Sequence, residues 1–225
     1  MSARPALLAP PCASAPWIKV CGVRSRADMD ACARAGATHV GLNAWPESPR
    51  FVPPGELARL AAHAHTLGLT PVVVFVPGSP VSLRALGNSA PIFVQASGSA
   101  GIPAALRARL AVSGVGLVEA RPSVGGRVEA LPWGDVLLLD ACSPGRHGGT
   151  GRRVPEGLAA QAPHPFVLAG GLGPDNVAAA VTAVRPQGVD AASGLESGPG
   201  IKDPARIRDF CAAAREAFSR VRSGK

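Results

Sequence analysis

Phe166-Val167-Leu168-Ala169-Gly170-Gly171-Leu172 runs through Pro174-Asp175-Asn176 into the alanine-rich segment 177–184, and Val189-Asp190-Ala191-Ala192-Ser193-Gly194 follows. A short apolar run, a glycine pair, a helical pattern, a second apolar run and a second small-residue turn stand in that order. Two strands joined through a helix run parallel, because an antiparallel return needs only a tight turn. The segment therefore predicts strands at 166–168 and 189–191, with a helix at 175–184 between them.

The same alternation extends outward along the whole chain. Apolar runs at 17–21, 39–42, 71–75, 92–95, 114–118 and 135–139 add the remaining strands. Patterns at 26–34, 55–65 and 204–218 are amphipathic helices, and Asp203 before Pro204 gives the last a cap followed by proline at its first position. Weaker helical patterns, interrupted by Gly, Pro or Ser, fall at 78–88, 102–110 and 124–130. Eight strand–helix units predict an α/β fold, a single (β/α)8 TIM barrel with one parallel eight-stranded sheet. No linker or repeat divides the chain. The barrel is expected over 17–220, with a disordered tail at 1–16 and a flexible end at 221–225.

A length of 225 residues suits a one-domain barrel, and 47% hydrophobic residues with only 4% aromatics predict a core of Ala, Val and Leu. The net charge of +8 permits nucleic-acid binding. However, the basic residues are dispersed, nearly all are Arg, and stacking aromatics are scarce, so a small anionic substrate is expected rather than nucleic acid. Cysteines at 12, 21, 32, 142 and 211 form no CxxC or Cys/His cluster, which argues against a metal site, and their odd number leaves a thiol unpaired. A reducing, cytoplasmic setting fits such thiols. Pro5, Pro10 and Pro11 break the apolar part of the N-terminal stretch, so no secretory signal is expected there. No run approaches the ~20 apolar residues of a membrane span.

Ligands of parallel βα folds sit at the carboxyl ends of the strands. There the chain places Lys19-Val20-Cys21-Gly22-Val23 after strand one and Ser48-Pro49-Arg50 after strand two. Leu138-Leu139-Asp140 ends strand six, ahead of Gly148-Gly149-Thr150-Gly151. Gly170-Gly171 and Ser193-Gly194 follow strands seven and eight, where barrel enzymes commonly hold phosphate on backbone N–H groups. The 148–151 loop suits a cover that excludes water, and a merely flexible connection has the same composition. Each residue also has a plain structural reading. Cys21 is a small apolar side chain, Asp140 a helix cap, Arg50 a solvated surface group, Asp190 a structural acid, and the glycines ordinary turns.

These ordered segments resemble the phosphoribosylanthranilate isomerase family, with its KICG, SPR, LLD with GGTG, AGGL and SSGVE motifs and a downstream PG-x-KD. The likeness extends from Lys19 to Phe210 and includes Pro174-Asp175-Asn176, Gly194-Leu195-Glu196 and Pro199-Gly200-Ile201-Lys202-Asp203. It implies a cofactor-free Amadori rearrangement in tryptophan biosynthesis, on an anionic phosphosugar, by a monomer or homodimer. By the resemblance Asp140 is the general acid and Cys21 the general base, while Arg50 faces the anthranilate carboxylate. Gly148, Gly149, Gly170, Gly171, Asp190, Ser193 and Gly194 then contact substrate. A free thiol titrates near 8.5, so the site must tune it, and burial of Asp140 is expected to hold its proton. Lys19 is assigned no part in lowering the thiol.

The pattern breaks in the middle of the chain. The family's Q-L-H-G reads Gln95-Ala96-Ser97-Gly98, its V-F-V-N reads Val74-Phe75-Val76-Pro77, its strand-five I-K-A is matched to Gly116-Leu117-Val118, and its K-T-F-D-W reads Arg152-Arg153-Val154-Pro155-Glu156. A drifted paralogue acting on another ribosyl phosphate and a non-catalytic phosphate-binding barrel stay open alongside the isomerase.

Overall fold

Side chains alternate across a strand, and in β1 (Trp17–Cys21) this divides the residues into two environments. Ile18 and Val20 join Met29, Cys32, Leu57, Ile207 and Phe210 in the apolar layer between strands and helices. Trp17 joins Val72, Val118, Leu138 and Val167 on the other side, inside the barrel. Lys19 and Cys21 share that inner face. The computed structural model of the chain describes residues 15–76, 93–97, 115–122, 136–140, 156–159 and 165–224.

The remaining barrel strands are β2 (His39–Asn43), β3 (Thr70–Phe75), β4 (Phe93–Ala96), β5 (Gly116–Pro122), β6 (Val136–Asp140), β7 (Phe166–Leu168) and β8 (Gly188–Ala191). All pair parallel in sequence order, and β1 pairs with β8 to close the barrel. At that seam Lys19 stands opposite Asp190. Closure leaves no edge strand, and the carboxyl ends of all eight strands share one rim.

Helix α1 (Arg26–Ala35) starts where Ser25 Oγ accepts from the Asp28 amide, and stops at Gly36, a left-handed residue whose N–H returns to Ala33 O and Cys32 O. Helix α2 is Pro54–Thr66 and α3 is the short Glu156–Ala159. Helix α4 (Val177–Val184) begins two residues later than the periodicity predicts. The cause is local: the Asn176 side chain donates to Gly171 O at 2.9 Å and accepts from the Gly173 amide at 3.0 Å, so it secures the glycine loop instead of a helical turn. Helix α5 (Pro204–Arg222) is capped by Asp203 and packs Ile207, Phe210, Cys211, Ala214 and Phe218 inward, passing the expected end at 218.

Two features differ from expectation. β5 extends to Pro122 alongside β6, so Ala120-Arg121-Pro122 reach the rim and Gly116-Leu117-Val118 lie at the strand's start. The strand expected at 114–118 therefore starts two residues later and runs four residues further than its apolar run. A two-stranded antiparallel hairpin, β9 (Glu196–Gly198) and β10 (Ile201–Lys202), follows the 3-10 turn Ser193–Leu195. The expected helices at 78–88, 102–110 and 124–130, and residues 1–14 of the tail expected at 1–16, lie outside the described residues.

Candidate active site

Cys21 and Asp140 are the last residues of β1 and β6, so both stand on the carboxyl rim, with β7 and β8 between them. The glycine pairs occupy that interval. Gly170 and Gly171 both have positive φ, 88° and 60°. A Cβ on Gly194 would strike the carbonyl oxygen of Leu172, so the loops after β7 and β8 pack backbone to backbone only because that residue is glycine. Gly148 and Gly149, with His147, lie outside the described residues.

Cys21 is partly exposed at the rim, and its thiol leans across β2. A Cβ on Gly41 would come within 2.6 Å of its Sγ. Among the described residues the other free thiols, Cys32 and Cys211, are buried beneath the helices, where burial pushes Cys211 up to about 12. Burial also raises the Cys21 thiol above its ordinary value, and Asp190 adds to that, while Lys19 and Lys202 oppose it. The absence of a role for Lys19 is a point the structure corrects. Residues two apart on a strand share a face, so Lys19 lies beneath Cys21 and its positive charge favours the thiolate.

Lys19 is fully buried, yet it is held as a cation. Burial opposes its charge, but Asp190 Oδ2 accepts from Nζ at 2.7 Å and Gln95 Oε1 at 3.0 Å, and the balance raises its pKa. Gln95 Nε2 donates onward to Ser97 Oγ at 3.3 Å. The residue at the altered Gln95-Ala96-Ser97 signature thus belongs to a polar layer crossing the barrel from β8 to β4. Asp190 Oδ1 is buried without a partner among the described residues and is the acceptor this layer leaves unused.

Arg50 is placed by the loop after β2, where Ser48 Oγ accepts from its backbone amide at 3.1 Å. Its aliphatic stem covers Gly22, the residue after Cys21, where a Cβ would collide with Arg50 Cδ. Its head makes a side-on fork with Glu196, Nε to Oε1 and Nη2 to Oε2, both at 2.8 Å. Lys202 Nζ donates to the same Glu196 Oε1 and to Ala192 O, each at 2.9 Å. Burial alone would raise Glu196, but the two cations hold its carboxyl below the usual range, and the fork outweighs burial to raise Arg50. A cleft of about 410 Å³ opens here, lined by Pro49, Arg50, Ser193, Glu196, Ser197, Gly198 and Pro199. It brings together Arg50 and Ser193, two residues singled out from sequence alone.

Sequence reasoning passed over Lys19, Gln95, Glu196 and Lys202 as functional groups. Alternation along β1 was the available signal for Lys19. For Glu196 and Lys202 it was the Pro199-Gly200 turn between them, which makes them cross-strand partners.

The arrangement supplies a thiol, a carboxyl, two glycine-bearing loops and a braced guanidinium around one rim. The family model for N-(5'phosphoribosyl)anthranilate (PRA) isomerase matches residues 18–213. An N-(5'-phosphoribosyl)anthranilate isomerase of Paracoccus denitrificans is 38% identical over 207 residues, which is 88% of this chain and 96% of the relative. Among solved structures, TrpF from Jonesia denitrificans superposes with a TM-score of 0.72 at 31% identity, over 90% of this chain and 98% of that one. The phosphoribosyl anthranilate isomerase of Thermus thermophilus superposes with a TM-score of 0.71 at 27% identity, over 88% and 98%.

Proposed function

We propose that this chain, which belongs to the N-(5'-phosphoribosyl)anthranilate isomerase family and serves tryptophan biosynthesis, isomerises its substrate with Asp140 as general acid and Cys21 as general base. Asp140 gives its proton to the furanose ring oxygen as the bond from that oxygen to sugar carbon 1 breaks. The anthranilate nitrogen supplies the electron pair that makes the carbon 1–nitrogen double bond. The Cys21 thiolate then removes the proton from carbon 2, the electrons return to nitrogen, and the resulting enol becomes the ketone as carbon 1 gains a proton. Aldose becomes ketose with no net redox change, so acid and base suffice.

The observation that carries this reading is the shared rim: the acid and base candidates close β6 and β1, and both glycine pairs lie between them. A sugar phosphate held at Gly170, Gly171, Ser193 and Gly194 reaches the two groups from one side, and Asp190 Oδ1, unpartnered among the described residues, lies below. Gly148 and Gly149, which follow β6 in the sequence, are assigned to substrate contact on the family likeness alone. Arg50 takes the anthranilate carboxylate, since its planar head suits such a group. The free thiols favour a cytoplasmic location, and the enzyme acts as a monomer or homodimer.

Steady-state kinetics on purified variants test the roles. Asp140→Asn and Cys21→Ser should each lower kcat by about 10²–10⁴. Arg50→Ala should raise KM roughly ten- to a hundredfold with kcat little changed, because its contact exists equally in ground and transition states. Near-normal kcat in Asp140→Asn, with the fold intact by circular dichroism, would sink the acid assignment.

A further inference from the structure

Arg50 poses an electrostatic problem. An arginine whose charge is cancelled by a buried glutamate at 2.8 Å has little attraction left for a second carboxylate. The structure contains the remedy. Lys202, itself buried, donates to the same Glu196 oxygen, so two cations share one anion and the three side chains carry a formal charge of +1.

We propose that Lys202, acting through Glu196, is a positioning residue that keeps Arg50 available to the substrate carboxylate. The proposal rests on the reading of Arg50 as the carboxylate grip. Glu196 occupies two of the five guanidinium donors through the Nε side, which fixes the plane of the head and leaves the end-on pair for a ligand. Lys202 neutralises Glu196, so the fork orients Arg50 without extinguishing its charge. Lys202 also donates to Ala192 O, the residue before the Ser193-Gly194 turn. The grip on the carboxylate end is thereby tied to the backbone that meets the phosphate end.

Three variants test this. Lys202→Met brings the unit to zero charge while leaving the fork in place. It should raise KM about tenfold or more, the scale of one charge acting across several ångströms near a protein surface, with kcat within about threefold. Adding Glu196→Gln restores a charge of +1, so KM of Lys202→Met/Glu196→Gln should return toward wild type. A lysine needed only for folding would show no such rescue. Should Lys202→Met fail to fold, Lys202→Gln keeps a donor for Ala192 O and carries the same test. Wild-type KM in the lysine variant, or a folded double variant no better than the single one, overturns the proposal. Arg50→Ala separates the two levels. If its KM is unchanged, the carboxylate reading itself falls; if its KM rises while the lysine variant's does not, only the role of Lys202 falls.

Discussion

The barrel interior buries two titratable layers that meet opposite fates. Near the base, Trp17 stacks on His39 with ring centroids 3.5 Å apart and planes 4° from parallel, and Phe93 meets both edge-on. His39 has no counter-charge among the described residues: burial first, then the positive charge of Lys19, drives its pKa down to about 3, so the ring is neutral. One layer higher, Lys19 is as deeply buried and remains charged, because Asp190 lies 2.7 Å away. Depth does not decide ionisation; a matched partner does.

The largest effect that can break this contrast is acid unfolding. His39 is held below its unfolded value, so between about 6.5 and about 3 the unfolded state binds more protons. Its contribution is complete above 6.5 and is lost as pH falls through that window. At about 1.4 kcal/mol per unit the loss reaches on the order of 4–5 kcal/mol by pH 3. His39→Phe, which keeps a ring against Trp17, should flatten the urea-derived stability slope between pH 6.5 and 4.5, above the range where Glu196 titrates. An unchanged slope would show that the ring is not held neutral.

Lys19→Met attacks the upper layer. It strands Asp190, one of whose oxygens already lacks a partner among the described residues, and should cost about 3–5 kcal/mol in urea unfolding. Lys19→Met/Asp190→Leu removes both charges and should lose less than the single variant. If the double variant is the weaker of the two, the pair is not an isolated charge balance.

A smaller effect concerns Cys21, where burial prevails over the help from Lys19. Inactivation by iodoacetamide should climb about tenfold per pH unit from 7 through 8.5 without levelling, since only the thiolate reacts. A plateau below pH 8 would mean that Lys19 dominates. The smallest effect lies on the surface. Arg59 pairs with Glu56 at 3.2 Å on α2, but both are more than half exposed, and Arg59→Ala should change stability by less than about 1 kcal/mol.

The barrel was legible because β1, β3, β6 and β7 are nearly unbroken apolar runs bounded by Gly or Pro, the signature of strands covered on both faces. β5 was read short because Glu119 and Arg121 interrupt its apolar pattern, although the ladder to β6 continues past them. Among candidate-site residues, those beside glycine motifs stand out in the sequence: Cys21 before Gly22, and Gly170, Gly171, Ser193 and Gly194. The Arg50–Glu196–Lys202 unit was not, because its members come from β2's loop and a three-plus-two-residue hairpin too short to leave a periodic signal. Lys19 is legible from alternation alone, which sets it on the same face of β1 as Cys21.

The seam between β1 and β8 also orders events during synthesis. Lys19 emerges from the ribosome 171 residues ahead of the aspartate that makes its burial tolerable. Until Asp190 arrives, the ammonium gains by staying in water, and the first strand gains nothing by settling inside an unfinished cylinder. The nascent chain is thus discouraged from closing early around a gap. The clasp that seals the barrel also sets the charge beneath the Cys21 thiol, so that charge is in place only when the container is complete.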